Sequence, residues 1–164
     1  FSREARERNP APCPNIVVLA DAGRSIEFDG DQTLENVAYS AEITDVTLSC
    51  RYFGAEPIDA EVSIDIAFGR GPKGEARQHD FTYFVAVTRR DSEVIEKEEY
   101  TIPVKFDGDR DIARVREKID KIVIPRAGEK TSGTNFEVII GLALTPDQAI
   151  FNRSGKSLKF PNLK

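Results

Sequence analysis

Two cysteines, one histidine and a surplus of carboxylates are the side chains of this 164-residue chain that could do chemistry. Cys13 lies in Pro12-Cys13-Pro14, where the flanking prolines keep the backbone extended. Cys50 ends a long apolar alternation. Two buried thiols would fit these contexts, but a Cys13–Cys50 disulfide is the sharper expectation. Such a bond would pin the N-terminal segment to a central strand and implies an oxidising compartment such as the periplasm. No second Cys or His pair completes a zinc pattern. His79 stands beside Asp80, yet sequence neighbours seldom orient one another for catalysis, and no G-x-S-x-G nucleophile turn is present. Paired-carboxylate hydrolysis stays open, because strand pairing cannot be read from the chain.

Three short motifs touch on ligand chemistry. Gly69-Arg70-Gly71-Pro72-Lys73-Gly74 has the G-x-G-x-x-G spacing of a dinucleotide site. That site needs the loop to open a helix, whereas Pro72 intrudes here and a strand follows, so a plain interstrand loop is expected. Gly128-Glu129-Lys130-Thr131 lacks the upstream glycine and the Gly-Lys pair of a P-loop. Asp107-Gly108-Asp109-Arg110-Asp111 starts like a calcium loop, but Ile112 and Lys118 stand where Gly and a bidentate Glu are needed. Phe-Asp-Gly-Asp occurs at 28–31 and again at 106–109, and reads as turn chemistry. No metal, cofactor or catalytic residue is assigned from these patterns.

The elements that would position these residues are mostly strands. Val37, Tyr39, Ala41 and Ile43 share one parity, while Val46, Leu48, Cys50 and Tyr52 share the other. A bulge near Thr44-Asp45 would return both sets to one buried face. Ile16–Leu19 and Ser25–Phe28 read as short strands. Residues 60–68, 81–87, 94–106 and 136–144 alternate as longer ones. Pro103 suggests an edge position in its strand. Ile112, Val115 and Ile119 recur at helical spacing, which predicts an amphipathic helix over 109–121. Thr145-Pro146-Asp147-Gln148 is a capping box that opens a short helix over 146–152. About seven strands that do not alternate with helices predict a single antiparallel β-sandwich, immunoglobulin-like or fibronectin-like in outline. The sandwich is expected over 13–153, preceded by a charged tether over 1–12 and followed by a tail over 154–164. In that tail Leu158, Phe160 and Leu163 are apolar anchors that either pack back or meet a partner.

Composition bounds the function. Apolar residues make up 40% and charged residues 31%, as in ordinary globular proteins. The net charge of −5 offers no field for nucleic acid. No apolar run reaches the ~20 residues that span a bilayer. The chain opens on Phe1 and contains no Met, so a leader removed upstream, or a trimmed chain, is expected.

Pro-Cys-Pro near the start, then Ala-Glu-Ile-Thr-Asp-Val-Thr-Leu-Ser-Cys, Tyr-Phe-Val-Ala-Val and Phe-Glu-Val-Ile-Ile-Gly-Leu-Ala-Leu-Thr-Pro-Asp-Gln together resemble a group of small envelope lipoproteins of alphaproteobacteria. The resemblance covers about residues 11–153 and implies location more than activity. In such lipoproteins a lipidated Cys opens the mature chain, so any lipid anchor would lie upstream of Phe1. The expectation is a non-enzymatic periplasmic protein, tethered to the outer membrane through that anchor. It would act through an envelope or outer-membrane protein partner, with no cofactor and no nucleic acid. The alternative is a small ligand-binding or hydrolytic domain using loops 69–80 and 126–134.

Overall fold

The computed structural model describes residues 12–90 and 93–160. Among them eight strands form two four-stranded sheets facing each other across one core. The strands are β1 (Asn15–Val18), β2 (Arg24–Phe28), β3 (Val37–Arg51), β4 (Ile58–Arg70), β5 (Gln78–Arg89), β6 (Val94–Lys105), β7 (Ile112–Ile124) and β8 (Phe136–Leu142). The first sheet has the order β1-β8-β5-β6, and the second has β2-β3-β4-β7. All pairings are antiparallel except β1 with β8, which is parallel. The chain is thus a β-sandwich, with one strand more than the alternation suggested and one pair of opposite direction.

The core is built by parity. Ile58, Ala60, Val62, Ile64, Ile66 and Phe68 of β4 are all buried, against Phe81, Tyr83, Val85 and Val87 of β5 and Val138, Ile140 and Leu142 of β8. The bulge in β3 lies where the parity switch demanded it: Ile43 pairs with Ile66 and Asp45 with Asp65, leaving Thr44 unopposed. Thr44 Oγ1 instead donates to the Asp65 carbonyl at 3.2 Å. The bulge lets Tyr39, Ala41 and Ile43 face the same interior as Val46 and Leu48.

The helix expected over 109–121 does not exist; those residues largely belong to β7, which pairs with β4 from Gly69↔Ile112 to Ile58↔Ile124. The physical reason is visible in β7 itself. Ala113, Val115, Glu117 and Ile119 alternate against solvent-facing Arg114, Arg116, Lys118 and Asp120. Glu117 on the inward parity broke the apolar alternation and left only the i, i+3, i+7 subset in view. β-branched Val115 and Ile119 favour the strand, where they pack opposite Ile66 and Val62. The helix expected near 146–152 is present as α1 (Pro146–Arg153), with the full Thr145/Gln148 capping box.

The disulfide joins Cys13 to Cys50, with the Cα atoms 5.7 Å apart. Beside it the Tyr52 hydroxyl donates to the Pro12 carbonyl and accepts from the Gly133 amide. The N-terminal segment from residue 12 onward is therefore fixed to the end of β3, while the tether expected over 1–12 lies, apart from Pro12, outside the described residues.

Candidate functional site

The two loops with the most suggestive motifs lie at opposite ends of β3, a 15-residue strand of roughly 50 Å at about 3.3 Å per residue. The first loop is clipped to the start of β3. Gly71 and Lys73 donate backbone hydrogen bonds to Ala38 and Val37. A Cβ on Gly71 would stand 2.2 Å from the Val37 carbonyl oxygen, so glycine is there for close backbone approach. The second loop is nailed down beyond the end of β3. Arg126 donates to the carbonyls of Phe53, Gly54, Glu56 and Thr131, and its guanidinium stacks 4.4 Å over the Tyr52 ring. Loops 69–80 and 126–134 are not brought together; Arg126 is spent on the fold, and Arg70 bonds to the Gly74 carbonyl and pairs with Asp111, while its buried Nε has no partner among the described residues.

His79 is in β5 rather than in a loop, and its partner is Glu27 of β2, not Asp80. The Nε2–Oε2 distance is 2.6 Å, and the imidazole stacks on Tyr39 with centroids 3.8 Å apart. This contact joins the two sheets at one side of the core. The repeated Phe-Asp-Gly-Asp segments are turns, with φ of 108° at Gly30 and 58° at Gly108, a region that favours glycine. Among the described residues no group of three or more His, Cys, Asp or Glu gathers at metal-binding spacing.

The tail residue Phe160 packs edge-on against Phe28, centroids 5.4 Å apart, and lies 5.6 Å from Phe151 of α1. Arg24 holds the same segment by donating to the carbonyls of Ser157 and Phe160. Phe160 is therefore engaged by the domain itself. The Leu158 side chain and Leu163 lie outside what the structure describes. α1 also covers the free edge of β2: Gln148 donates to the Ile26 carbonyl and Asn152 to those of Asp21 and Arg24.

The opposite side of the sandwich is different. There the edge strands β6 and β7 run past one another without pairing. A cleft of about 250 Å³ opens between them, lined by Val85, Val87, Glu96, Glu98, Tyr100, Lys121, Ile122 and Val123. Glu96 and Glu98 share the parity of Tyr100 and Ile102 and stand opposite Val87 and Val85, so their side chains issue from the core-facing side. Glu117 does the same on β7, directly opposite fully buried Ile64. Two tyrosines serve these carboxylates. Tyr83 donates to Glu117 at 3.1 Å and Tyr100 donates to Glu98 at 2.8 Å, with the two rings stacked 5.3 Å apart.

Burial, then the neighbouring Glu117 charge, holds the Tyr83 phenol well above the ordinary tyrosine range. Burial, then the hydrogen bond to Glu98, pushes Tyr100 up to about 12. Both phenols therefore remain donors at neutral pH, and the cleft presents carboxylates to whatever enters it. Among the described residues Glu96, Glu98 and Glu117 form no ion pair. Lys97 points the other way, its ammonium 4.7 Å over the Phe84 ring.

The sequence marked this region only by the polar first half of β6 and by Pro103. The tyrosine pair and Glu117 were missed, because each reads singly as an ordinary strand residue. No helix among the described residues is long and apolar enough to cross a membrane. No protein-family model matches the chain, and no curated protein matches it.

Proposed function

We propose that the chain is a non-enzymatic cell-envelope module that resides in the periplasm and works through contacts with an envelope or outer-membrane protein, as an accessory subunit of a larger assembly. A lipid anchor upstream of Phe1, as in the lipoproteins it resembles, would tether it to the outer membrane. The observation that carries this reading is how the polar groups are spent. Backbone amides of the first loop and the Arg126 guanidinium of the second bond to carbonyls of the fold, while among the described residues one whole side of the sandwich keeps two long strand edges open. The Cys13–Cys50 disulfide supports an oxidising compartment. The test is affinity purification of the tagged full chain from native membranes after mild cross-linking. A partner protein recovered in constant ratio is the expected result. Recovery of the chain alone, or with a small molecule lodged at 69–80 or 126–134, would overturn it, the second in favour of a ligand-binding domain.

A further inference from the structure

We infer that the free edge of β6 is a docking strand for an extended, basic segment of a partner protein, which adds to the first sheet as a fifth strand. This rests on the binding-module reading above and names its surface and its partner chemistry.

The backbone argument begins at Pro103. It pairs with Asp80 but has no N–H, so that position must be a non-hydrogen-bonded pair of the β5–β6 ladder. The Thr82 carbonyl agrees, since it accepts from Ala143 on the β8 side and so turns away from its partner Thr101. By alternation the N–H and C=O groups of Lys97, Glu99 and Thr101 point outward along the free edge. They supply a ladder for an added strand, which Pro103 ends at one side. Unlike β2, this edge has no helix laid over it among the described residues.

The side-chain argument sets the partner. Glu96 and Glu98 project into the cleft beside that ladder, and among the described residues neither forms an ion pair, with Lys121 the one cation lining the same cleft. Tyr100 donates to Glu98, which keeps the carboxylate oriented. A second copy of β6 would bring the same carboxylates against their equals, so self-pairing along this edge is opposed. An apolar strand would strip water from both carboxylates without compensation. A strand with Lys or Arg at alternate positions satisfies them and the ladder together.

The probe is a fluorescent seven-residue peptide alternating Lys and Val, titrated against the full chain by polarisation. Binding is expected, about tenfold weaker for the E96Q/E98Q double variant, as expected for losing two exposed charge pairs. A peptide methylated on alternate backbone nitrogens should not bind, because the added strand then lacks its donors. Amide exchange on the bound chain should slow at Lys97, Glu99 and Thr101. Equal binding of the methylated peptide, equal binding of a Glu-Val counterpart, or protection elsewhere would each overturn the β6 assignment. The fate of the broader reading is told apart by membrane purification of E96Q/E98Q: a partner retained at full yield leaves the module reading standing and removes β6 as its surface.

Discussion

The Tyr83 hydroxyl donates a 3.1 Å hydrogen bond to Glu117 Oε1, joining β5 of one sheet to β7 of the other. It is the reason a carboxylate can occupy a core-facing position opposite Ile64. Breaking it from either end leaves a half-buried polar group unmatched. Tyr83→Phe and Glu117→Ala should each destabilise the fold by about 1 kcal/mol in urea titrations, and the double variant should cost less than their sum. Strict additivity would show that the two groups do not interact in solution.

Alkaline pH should find the same cleft. Tyr83 and Tyr100 both have folded-state pKa values raised above the ordinary tyrosine value of 10.0. A raised pKa means the folded state holds its proton more tightly than the unfolded state. The stability this contributes is complete below pH 10 or so and is lost as pH rises toward the Tyr100 value of about 12. Thermal melts should therefore fall over that interval, and Tyr100→Phe should blunt the fall. A tyrosinate absorbance titration with all tyrosines ionising together near 10 would contradict it.

The disulfide closes a loop of 37 residues. In the chain-entropy treatment its loss should cost about 4 kcal/mol, read as a lower urea midpoint in reductant. Alkylation of the denatured, unreduced protein should label neither cysteine. Labelling of both Cys13 and Cys50 would remove the crosslink and the compartment inference with it.

Gly71 and Gly128 provide a matched pair of tests for the two loops. A Cβ at Gly71 meets the Val37 carbonyl oxygen at 2.2 Å, whereas nothing stands within 4 Å of one at Gly128. Gly71→Ala should destabilise by about 1–3 kcal/mol through overpacking, and Gly128→Ala should be close to neutral. Similar melts for both would mean the first loop does not hug β3.

Ile64 and Asp65 test parity within β4. Ile64 is 0% exposed in the core, so Ile64→Ala should cost about 2–5 kcal/mol. Asp65 faces solvent and is held by Arg116 through two hydrogen bonds, at 2.7 and 3.1 Å, which lower its pKa. A lowered carboxylate pKa gives stability that is present at neutral pH and lost on acidification through that pKa. Asp65→Ala should thus leave the neutral melt near wild type and flatten its acid limb. Equal losses at Ile64 and Asp65 at neutral pH would reverse the assigned faces.

What the chain determined by itself is what local periodicity and backbone chemistry can carry. Alternation in β4 and β8, the parity switch that became the bulge at Thr44, the capping box of α1 and the paired cysteines were all legible, because each depends on residues close in sequence or on a single rare residue type. What tertiary structure decided is what depends on neighbours far along the chain. β7 became a strand because β4 lay beside it to complete its ladder, and because Tyr83, 34 residues away, offered Glu117 a donor on the buried side. His79 found Glu27 rather than Asp80 because the facing sheet set its reach. Among the described residues α1 covers the edge of β2, whereas the edges of β6 and β7 stay open. Coverage of an edge is a property of the assembled layers, and no pattern of spacing within one strand encodes it.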